Sequence, residues 1–399
     1  MALALTADEE ALLESDDPAV RKSMELLVRL GDIYGAAEMV EIASAQASGI
    51  SYKSIGDPGV EFLEGFAEEG AEVRVSTFAN PAGMDIERWE EMGVSPEFAD
   101  QQRRIVAALR EMGVTISFTC TPYLAGNLPR RNQHIAWAES SAVSFANSVV
   151  GARTNREGGP SALAAAITGR TPRYGLHLPE NRTPTHQVHV EPSLETQSDF
   201  AALGAWTGRI VEDEIPYFTG IDDAGTDDLK ALGAAMAATG AVALYFVEDI
   251  TTDDAPPAAG QGTGVESLTF EPTDLADEYD ELTDTEEADL IVFGCPHSSV
   301  EEIERVADRV EGETIEGDLW VCTSRSNKAW ADRMGHTETI EAAGGSVLSD
   351  TCNVVAPIEE MGYESTATDS AKAATYLPGF GNQQVKFDDK LAILEEATK

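Results

Sequence analysis

Hydrophobic and polar positions follow two alternating patterns along the chain, short β-prone runs and longer stretches with helical periodicity. Residues 72–77 (EVRVST) and 114–119 (VTISFT) are β-prone, and the second run follows a helical stretch over 101–112. Each run ends in a polar or Gly/Pro-rich loop, as expected where an α/β sheet presents loops at the carboxyl ends of its strands. This repeat of strand and helix predicts an α/β protein.

The same alternation continues through the rest of the sequence. A mostly small and apolar stretch predicts a helix over 135–150, and amphipathic spacing predicts another over 299–310. The further β-prone runs are 240–247, 289–293, 320–323 and 346–349. This number of strands, separated by helices, indicates more than one sheet flanked by helices.

One acidic segment interrupts the pattern. Residues 271–289 contain ten acidic residues and no basic one, and two prolines and three glycines precede them. We interpret 251–289 as a solvated linker or surface insertion between an α/β region at 1–250 and a second at 290–399. The GQGTG motif at 260–264 is interpreted as a plain loop, because no apolar strand runs directly into it and no Gly-Lys-Ser/Thr follows.

The net charge excludes two classes of partner. The 399 residues include 27 Lys plus Arg and 71 Asp plus Glu, a net charge of −44. Such a chain repels nucleic acid, whose binding needs basic side chains along the phosphates, and it repels anionic membrane surfaces equally. The 42% hydrophobic content argues against disorder. Only 8 of the basic residues are Lys, which suggests adaptation to high salt, where charge repulsion is screened within about 3 Å.

The sequence also predicts the compartment. No stretch approaches the roughly 20 apolar residues that span a bilayer. The N-terminus lacks a basic region, and Thr6 followed by Glu9 is typical of a capping box that opens a helix. The four cysteines lie far apart, so a disulfide framework is not expected. We therefore expect a cytoplasmic protein.

Positive charge gathers in residues 130–182, against the balance of the whole chain. This segment has seven arginines and three acidic residues, a local charge of +4. A protein this acidic needs such a basic pocket to attract an anionic small-molecule substrate. At its centre Arg, Thr and Asn donors lie beside glycines. The candidate substrate-binding residues are Asn147, Ser148, Arg153, Thr154, Asn155, Arg156 and Glu157.

Two alternatives stay open for these basic residues. The arginine string would also fit a capped loop held by surface ion pairs. Ser370 and Lys372 form a second candidate anion site near a predicted helix start, because lysine is scarce in this chain. Lys372 would equally fit a solvated helix.

Three of the four cysteines directly follow predicted strands. Cys120, Cys295 and Cys352 are at such exits, whereas Cys322 is within a predicted strand and is interpreted as a buried structural thiol. If the three converge, their thiolates could hold a cluster and leave one iron open to act as a Lewis acid. Buried, inert thiols are the alternative, because no Cys-x-x-Cys pair marks a metal site.

Several separated blocks resemble the aconitase X family. They are 134–141 (HIAWAESS), 147–172 (NSVVGARTNREGGPSALAAAITGRTP), 294–297 (GCPH) and 350–352 (DTC). The resemblance extends over nearly the whole chain. It implies a multidomain α/β architecture like the cluster-binding part of aconitase. It also implies an iron–sulfur hydro-lyase whose centre is held by Cys120, Cys295 and Cys352. A 4Fe–4S cluster is the expected type, and a two-iron or single-iron centre is the alternative that three thiolates would also hold.

The resemblance further implies a partner. In aconitases the catalytic base is a serine on a mobile swivel domain, and the last matched block here ends 20 residues before the C-terminus. We therefore expect a chain without the swivel domain and without the base. It would be the large subunit of a heterodimer whose small swivel-domain subunit supplies the serine.

The resemblance leaves the substrate to be chosen. Archaeal two-subunit members dehydrate mevalonate 5-phosphate to trans-anhydromevalonate 5-phosphate in isoprenoid synthesis, and relatives dehydrate cis-3-hydroxyproline. The first is the expected reaction. The loop at 246–253 departs from the family pattern, so another hydroxy acid is the alternative if that loop touches substrate. A non-catalytic cysteine-containing scaffold is the third hypothesis.

Overall fold

The computed structural model describes residues 3–251 and 265–398. Most of this chain is built from helices that pack on parallel sheets. The helices are α1 (Ala7–Leu13), α2 (Pro18–Tyr34), α3 (Tyr52–Glu68), α4 (Pro96–Glu111), α5 (Ser140–Phe145), α6 (Gly159–Thr168), α7 (Gln197–Val211), α8 (Thr226–Thr239), α9 (Pro272–Glu281), α10 (Val300–Val310), α11 (Arg325–Met334), α12 (His336–Ala342), α13 (Ala371–Gly381) and α14 (Lys390–Ala397). Short 3₁₀ or π turns lie at Pro122–Leu124, Ala146–Val150, Gly175–His177 and Pro179–Asn181.

The strands form three parallel sheets and one antiparallel pair. They are β1 (Met39–Glu41), β2 (Ser44–Ala47), β3 (Ser76–Ala79), β4 (Ala136–Trp137), β5 (Arg170–Pro172), β6 (His186–Val190), β7 (Pro216–Thr219), β8 (Phe246–Val247), β9 (Glu266–Phe270), β10 (Leu290–Ser298), β11 (Asp318–Thr323), β12 (Ser346–Ser349), β13 (Ser365–Thr368) and β14 (Gln384–Phe387). The parallel sheets have the orders β3-β2-β4, β8-β7-β6-β9 and β12-β11-β10-β13-β14, and β1 pairs antiparallel with β5. The predicted α/β class with more than one sheet is confirmed.

The five-stranded sheet shows why its sequence reads as continuous apolar runs. Ile291 and Phe293 face one hydrophobic cluster, which includes Ile303 of α10. Leu290 and Val292 face another cluster on the opposite side of the sheet. Alternate residues of a strand point to opposite faces, so a sheet covered on both faces needs apolar residues at every position.

Three predicted elements differ from the structure. The strand predicted at 72–77 is displaced to β3. Residues 114–119 form no regular strand, although Thr115 and Thr119 each donate a backbone hydrogen bond to β3. The segment 135–150, which was predicted to be one helix, starts with the strand β4, because Ala136 pairs with β2. The helix α5 and the π turn follow this strand.

The run at 240–247 contributes only the two residues of β8 to a sheet. The Tyr245 backbone N–H bonds to the Ser148 hydroxyl at 2.9 Å, so that group is not available to a strand ladder. The hydroxyl of Ser148, which is distant in sequence, takes the place of the neighbouring strand that the local β propensity of this run would favour as a partner.

Part of the acidic segment is regular structure, so its interpretation as a linker is wrong there. β9 pairs in parallel with β6 along five residues. In α9, Tyr279 packs against Phe387 with ring centroids 5.0 Å apart, and Glu278 is buried in an ion pair with Arg209. The partly buried apolar residues of α9, together with the buried Glu278, fix this helix to the rest of the chain. The remaining boundaries at 251 and 289 stay predictions, and the GQGTG motif at 260–264 lies outside the described residues.

Among the helices of residues 3–251 and 265–398, none has the length and apolar character needed to cross a bilayer.

A bulge in β10 shapes the loop that carries Cys295. β10 pairs with β11 up to Phe293 and again only at Ser298. Gly294 begins the bulge with φ 99°, and a Cβ placed on it would lie 2.0 Å from the Cys322 carbonyl oxygen. Only a residue without a side chain permits this close approach of the two strands.

We expect the substitution Gly294→Ala to lower the free energy of unfolding by about 2–5 kcal/mol, because it combines a strained positive φ with overpacking. Gly312→Ala is the matched control, since Gly312 has φ 79° but nothing within 4 Å of a built Cβ. The control substitution should lower the free energy of unfolding by only about 1–2 kcal/mol. Chemical denaturation at constant salt measures both, and equal losses would contradict the steric argument.

Candidate active site

A cavity of about 260 Å³ lies where loops from two sheets meet. Three of the four cysteines line it, and charged and polar side chains surround them. The polar lining residues used below are Cys120, Cys295, Cys352, Asn80, Glu139, Ser140, Arg156 and Lys372. The three cysteines therefore converge on one cavity, although only Cys352 follows the end of a regular strand.

Each thiol reaches the cavity from a different element. Cys120 follows the irregular run beside β3, Cys295 is in the bulge of β10, and Cys352 follows β12. Cys322 is on β11, is fully buried and does not line the cavity. Its position within a strand agrees with the structural role predicted for it.

Burial makes the three thiols hard to deprotonate. Burial raises the pKa of the Cys295 thiol to about 12, and burial also raises the pKa of Cys120 and of Cys352. The nearby Lys372 ammonium acts in the opposite direction on all three. Thiolate ligation needs deprotonated sulfur, and bound iron supplies the positive charge that stabilises it.

The donor set fits an iron–sulfur cluster better than a single ion. Within residues 3–251 and 265–398, no three Cys, His, Asp or Glu side chains are grouped closely enough to hold one metal ion. The three thiols nevertheless share one cavity. A cluster takes one thiolate on each of several irons, so its protein ligands need not converge on a single point.

Lys372 and Glu139 form a buried ion pair in the cavity wall. The Lys372 ammonium donates to the Glu139 carboxylate and to the Ser141 hydroxyl at 3.1 Å, and Asn80 donates to the other carboxylate oxygen at 2.6 Å. Burial by itself opposes ionisation of Glu139, but the charge and hydrogen bond of Lys372 act together with the hydrogen bonds of Asn80 and Ser141 and lower the pKa of the carboxyl. Burial likewise opposes ionisation of Lys372, but attraction to Glu139 and to the other acidic groups around it together raises the pKa of the ammonium. Both groups are therefore charged.

Arg156 is the other cation of the cavity, and its environment is different. Its side chain is exposed at the cavity. In the described part of the chain no acidic side chain pairs with it, unlike Arg170 and Arg173 of the same basic segment. The guanidinium is thus available to a ligand anion, for which its planar fork is well suited.

Most of the other predicted substrate-binding residues hold the loop together instead of lining the cavity. The Asn147 amide donates to the Thr154 and Ala243 carbonyls, both at 2.9 Å. The Thr154 hydroxyl donates to the Asn155 carbonyl at 2.7 Å, and the Ser148 hydroxyl accepts the bond from the Tyr245 backbone N–H noted above. Asn147, Ser148 and Thr154 are fully buried.

The remaining candidates are placed in three other surroundings. Arg153 bonds to Asn132 at 3.0 Å, outside the cavity lining. The Glu157 carboxylate is buried and accepts bonds from the hydroxyls of Ser161 and Thr171. Asn155 bonds to the backbone of 174–176.

Ser370 belongs to the support of the cavity. It caps α13 and its hydroxyl donates to the Cys295 carbonyl. Of the nine candidates, the structure therefore brings Arg156 and Lys372 to the cavity.

Glu139, Asn80 and Ser140 line the cavity without having been predicted to do so. Asn80 directly follows β3, and Glu139 and Ser140 follow β4 after one residue. The rule that ligand-binding residues follow strands would have indicated them. The helical pattern of 135–150 conceals the end of β4 that precedes Glu139.

Comparison with known proteins now identifies the family. Family models described as the first, second and third domains of aconitase X match residues 2–180, 184–280 and 288–399. The chain belongs to the aconitase X family.

Individual members of the family resemble this aconitase X chain to different extents. It is 53% identical to the phosphomevalonate dehydratase large subunit of Methanothermobacter thermautotrophicus, over 98% of each chain. It is 33% identical to the cis-3-hydroxy-L-proline dehydratase of Pseudomonas aeruginosa, over 98% of this chain and 70% of that protein. The crystal structure of Thermococcus kodakaraensis aconitase X in its holo-form superposes with a TM-score of 0.92 at 44% identity, covering 99% of this chain and 100% of that one.

We expect Lys372→Met to lower the free energy of unfolding by about 3–5 kcal/mol, because it leaves the Glu139 carboxylate buried without its counter-ion. The double variant Lys372→Met/Glu139→Gln should recover most of that loss. Lys328→Met, in the more exposed pair with Asp332, should cost at most about 1 kcal/mol. Urea unfolding of the four proteins gives the values, and a double variant as unstable as Lys372→Met would contradict the buried pair.

Proposed function

We propose that this chain is the large subunit of a phosphomevalonate dehydratase. It would act in the cytoplasm of a salt-adapted organism and remove water from (R)-5-phosphomevalonate to form trans-anhydromevalonate 5-phosphate. One observation carries the proposal. Three buried thiols share a cavity with the Arg156 guanidinium, which pairs with no acidic side chain of residues 3–251 and 265–398. A relative with that name matches 98% of the chain.

In this proposal Cys120, Cys295 and Cys352 hold an iron–sulfur cluster of the 4Fe–4S type. The cluster, when bound, supplies a Lewis acid for the departing hydroxyl. Three protein thiolates leave one iron of such a cluster without a protein ligand, which suits a substrate oxygen.

Arg156 binds one anionic group of the substrate, either the carboxylate or the phosphate. Its fork can make two parallel hydrogen bonds to either group. The charge of Lys372 is already compensated by Glu139. Lys372 therefore contributes to the shape and polarity of the cavity wall, and Arg156 is the main ligand for the anion. Val354, Val355 and Phe380 form an apolar part of the lining, which fits the methyl and methylene groups of mevalonate.

The proton is removed by a group of the small subunit. Dehydration needs a base beside the carboxylate while the hydroxyl departs. Ser141 is engaged by both Glu139 and Lys372, which makes it an orienting residue. A small swivel-domain subunit would supply the serine base and form a heterodimer with this chain.

A second candidate function is dehydration of cis-3-hydroxyproline. The match to the Pseudomonas aeruginosa enzyme supports it, but this chain covers 70% of that protein, against 98% of the Methanothermobacter thermautotrophicus large subunit. Trials of both substrates with the reconstituted heterodimer distinguish the two functions.

We expect the isolated chain with an intact cluster to turn over phosphomevalonate negligibly, because it lacks the base. Adding the small subunit should restore turnover through a heterodimer. An anaerobic assay of anhydromevalonate phosphate formation, with and without the subunit, measures this. Full activity of the isolated chain would rule out the two-subunit proposal.

Replacement of Cys120, Cys295 or Cys352 by Ser should each abolish the cluster, because one thiolate ligand is lost. Cys322→Ser is the matched control and should leave the cluster nearly unchanged. Iron and sulfide per chain, with the visible absorbance after anaerobic reconstitution, give the readout. A full cluster in one of the first three variants would remove that cysteine from the ligand set.

We expect Arg156→Ala to lower kcat/KM about 10- to 100-fold, corresponding to the roughly 1.5–3 kcal/mol of a charge-assisted hydrogen bond. Arg156→Lys should not restore it fully, because the fork is lost. Arg153→Ala, away from the cavity, should change kcat/KM by little, since exposed contacts contribute about 0–1 kcal/mol. Equal effects of the two alanine variants would refute the assigned role of Arg156.

A further inference from the structure

One imidazole connects the loops of all three proposed cluster ligands. His297 is fully buried and does not line the cavity. Its Nε2 lies 2.8 Å from the Thr351 carbonyl oxygen, and its Nδ1 lies 3.0 Å from the Thr119 hydroxyl. Thr119 precedes Cys120 and Thr351 precedes Cys352, so the ring spans two of the ligand loops.

The third loop is the one that carries His297 itself. His297 is two residues after Cys295, and its backbone N–H donates to the Cys120 sulfur at 3.1 Å. The His297 carbonyl is held as well, by the ammonium of Lys230 at 3.4 Å. The residue is thus fixed through its ring and through both of its backbone polar groups.

The hydrogen-bond partners assign the tautomer of the ring. A carbonyl oxygen can only accept, so Nε2 carries the proton and donates to Thr351. Nδ1 then accepts from the Thr119 hydroxyl, whose oxygen in turn accepts from the Thr121 backbone N–H at 3.0 Å. Every ring nitrogen is therefore engaged within the protein, and none is directed at the cavity.

We infer that His297 is a positioning residue that sets the spacing of the Cys120, Cys295 and Cys352 sulfurs, and that it takes no part in proton transfer with the substrate. The inference rests on the proposed function, because it assumes that these sulfurs hold a cluster. Partners that orient metal ligands without touching the metal commonly change metal affinity when they are replaced. His297 holds such a place for three ligands at once.

The two hydrogen bonds of the His297 ring can be removed separately by substitution. His297→Asn keeps an acceptor near the Nδ1 position and loses the bond to Thr351. His297→Gln places an amide N–H near the Nε2 position and loses the bond to Thr119. His297→Leu loses both bonds.

A second pair of variants tests the same contact from the other side. Thr119→Val removes the hydroxyl that bonds to the ring but keeps its volume, whereas Thr119→Ser restores the hydroxyl. His177→Gln is the matched histidine control, because His177 is equally buried and bonds to His134 at 2.9 Å, away from the cysteine loops.

The measurement is the rate at which iron is lost to a chelator from the anaerobically reconstituted chain, together with the electron paramagnetic resonance spectrum of the reduced cluster. We expect His297→Leu to lose iron about 10- to 100-fold faster than the wild type. His297→Asn, His297→Gln and Thr119→Val should be intermediate with altered spectra. Thr119→Ser and His177→Gln should match the wild type.

The outcomes separate the inference from the proposed function. A wild-type chain that takes up no cluster overturns the proposed function and, with it, the inference. A wild-type chain with a cluster whose loss rate and spectrum are unchanged in Thr119→Val, His297→Asn and His297→Gln overturns the inference alone. If His297→Leu does not fold, as thermal unfolding of the apo chain would show, the Thr119→Val and Thr119→Ser pair decides the question.

Discussion

The cavity requires that segments beside two different sheets lie next to each other, and a buried carboxylate connects these segments. Asp350, at the end of β12, accepts the Phe118 backbone N–H at 3.2 Å and pairs with Arg325 at 2.6 Å. Its carbonyl accepts the Ala82 N–H at 2.7 Å. Burial raises the pKa of Asp350 to about 6 although Arg325 opposes the shift. This contact joins the segment beside the first sheet to the end of β12, next to Cys120 and Cys352.

Two buried lysine ammonium groups also connect elements that pack on different sheets, each through an ion pair. Lys372 of α13 pairs with Glu139 beyond β4, and Lys230 of α8 pairs with Glu302 of α10. Each pair joins elements that pack on different sheets. A buried charge is costly without its partner, so alternative ways of packing the sheets would leave these charges uncompensated.

The acidity of the chain and the position of its arginines have separate causes. The net charge of −44 belongs to the whole chain, whereas the basic segment places most of its arginines in intramolecular contacts. Arg170 and Arg173 pair with acids, and Arg182 is buried against Asn147. Arg156 is left at the cavity. Of the seven arginines that give this segment its positive balance, Arg156 is the one that lines the cavity.

The sequence by itself determined the elements whose causes are local. The periodicity of apolar residues was enough for α4, α10, β10, β11 and β12, because helix and strand spacing depends on consecutive residues. The same patterns predicted a strand end before each of Cys120, Cys295 and Cys352, of which the end of β12 before Cys352 is present, whereas Cys120 follows an irregular run and Cys295 lies within β10. The resemblance to aconitase X came from residue identities within short blocks.

Only the tertiary structure decided which polar side chains face the cavity. Asn147 and Thr154 have the same donor and acceptor groups as a ligand site, but they bond to each other and to the backbone. Glu139 entered the cavity because Ala136 and Trp137 pair with β2, more than 80 residues earlier in the chain. The intrinsic propensities of neighbouring residues carry no information about pairing between segments so far apart in the chain. The direction of a side chain depends on partners that only the folded chain brings close, and for that reason Lys372 meets Glu139 and His297 meets Thr119.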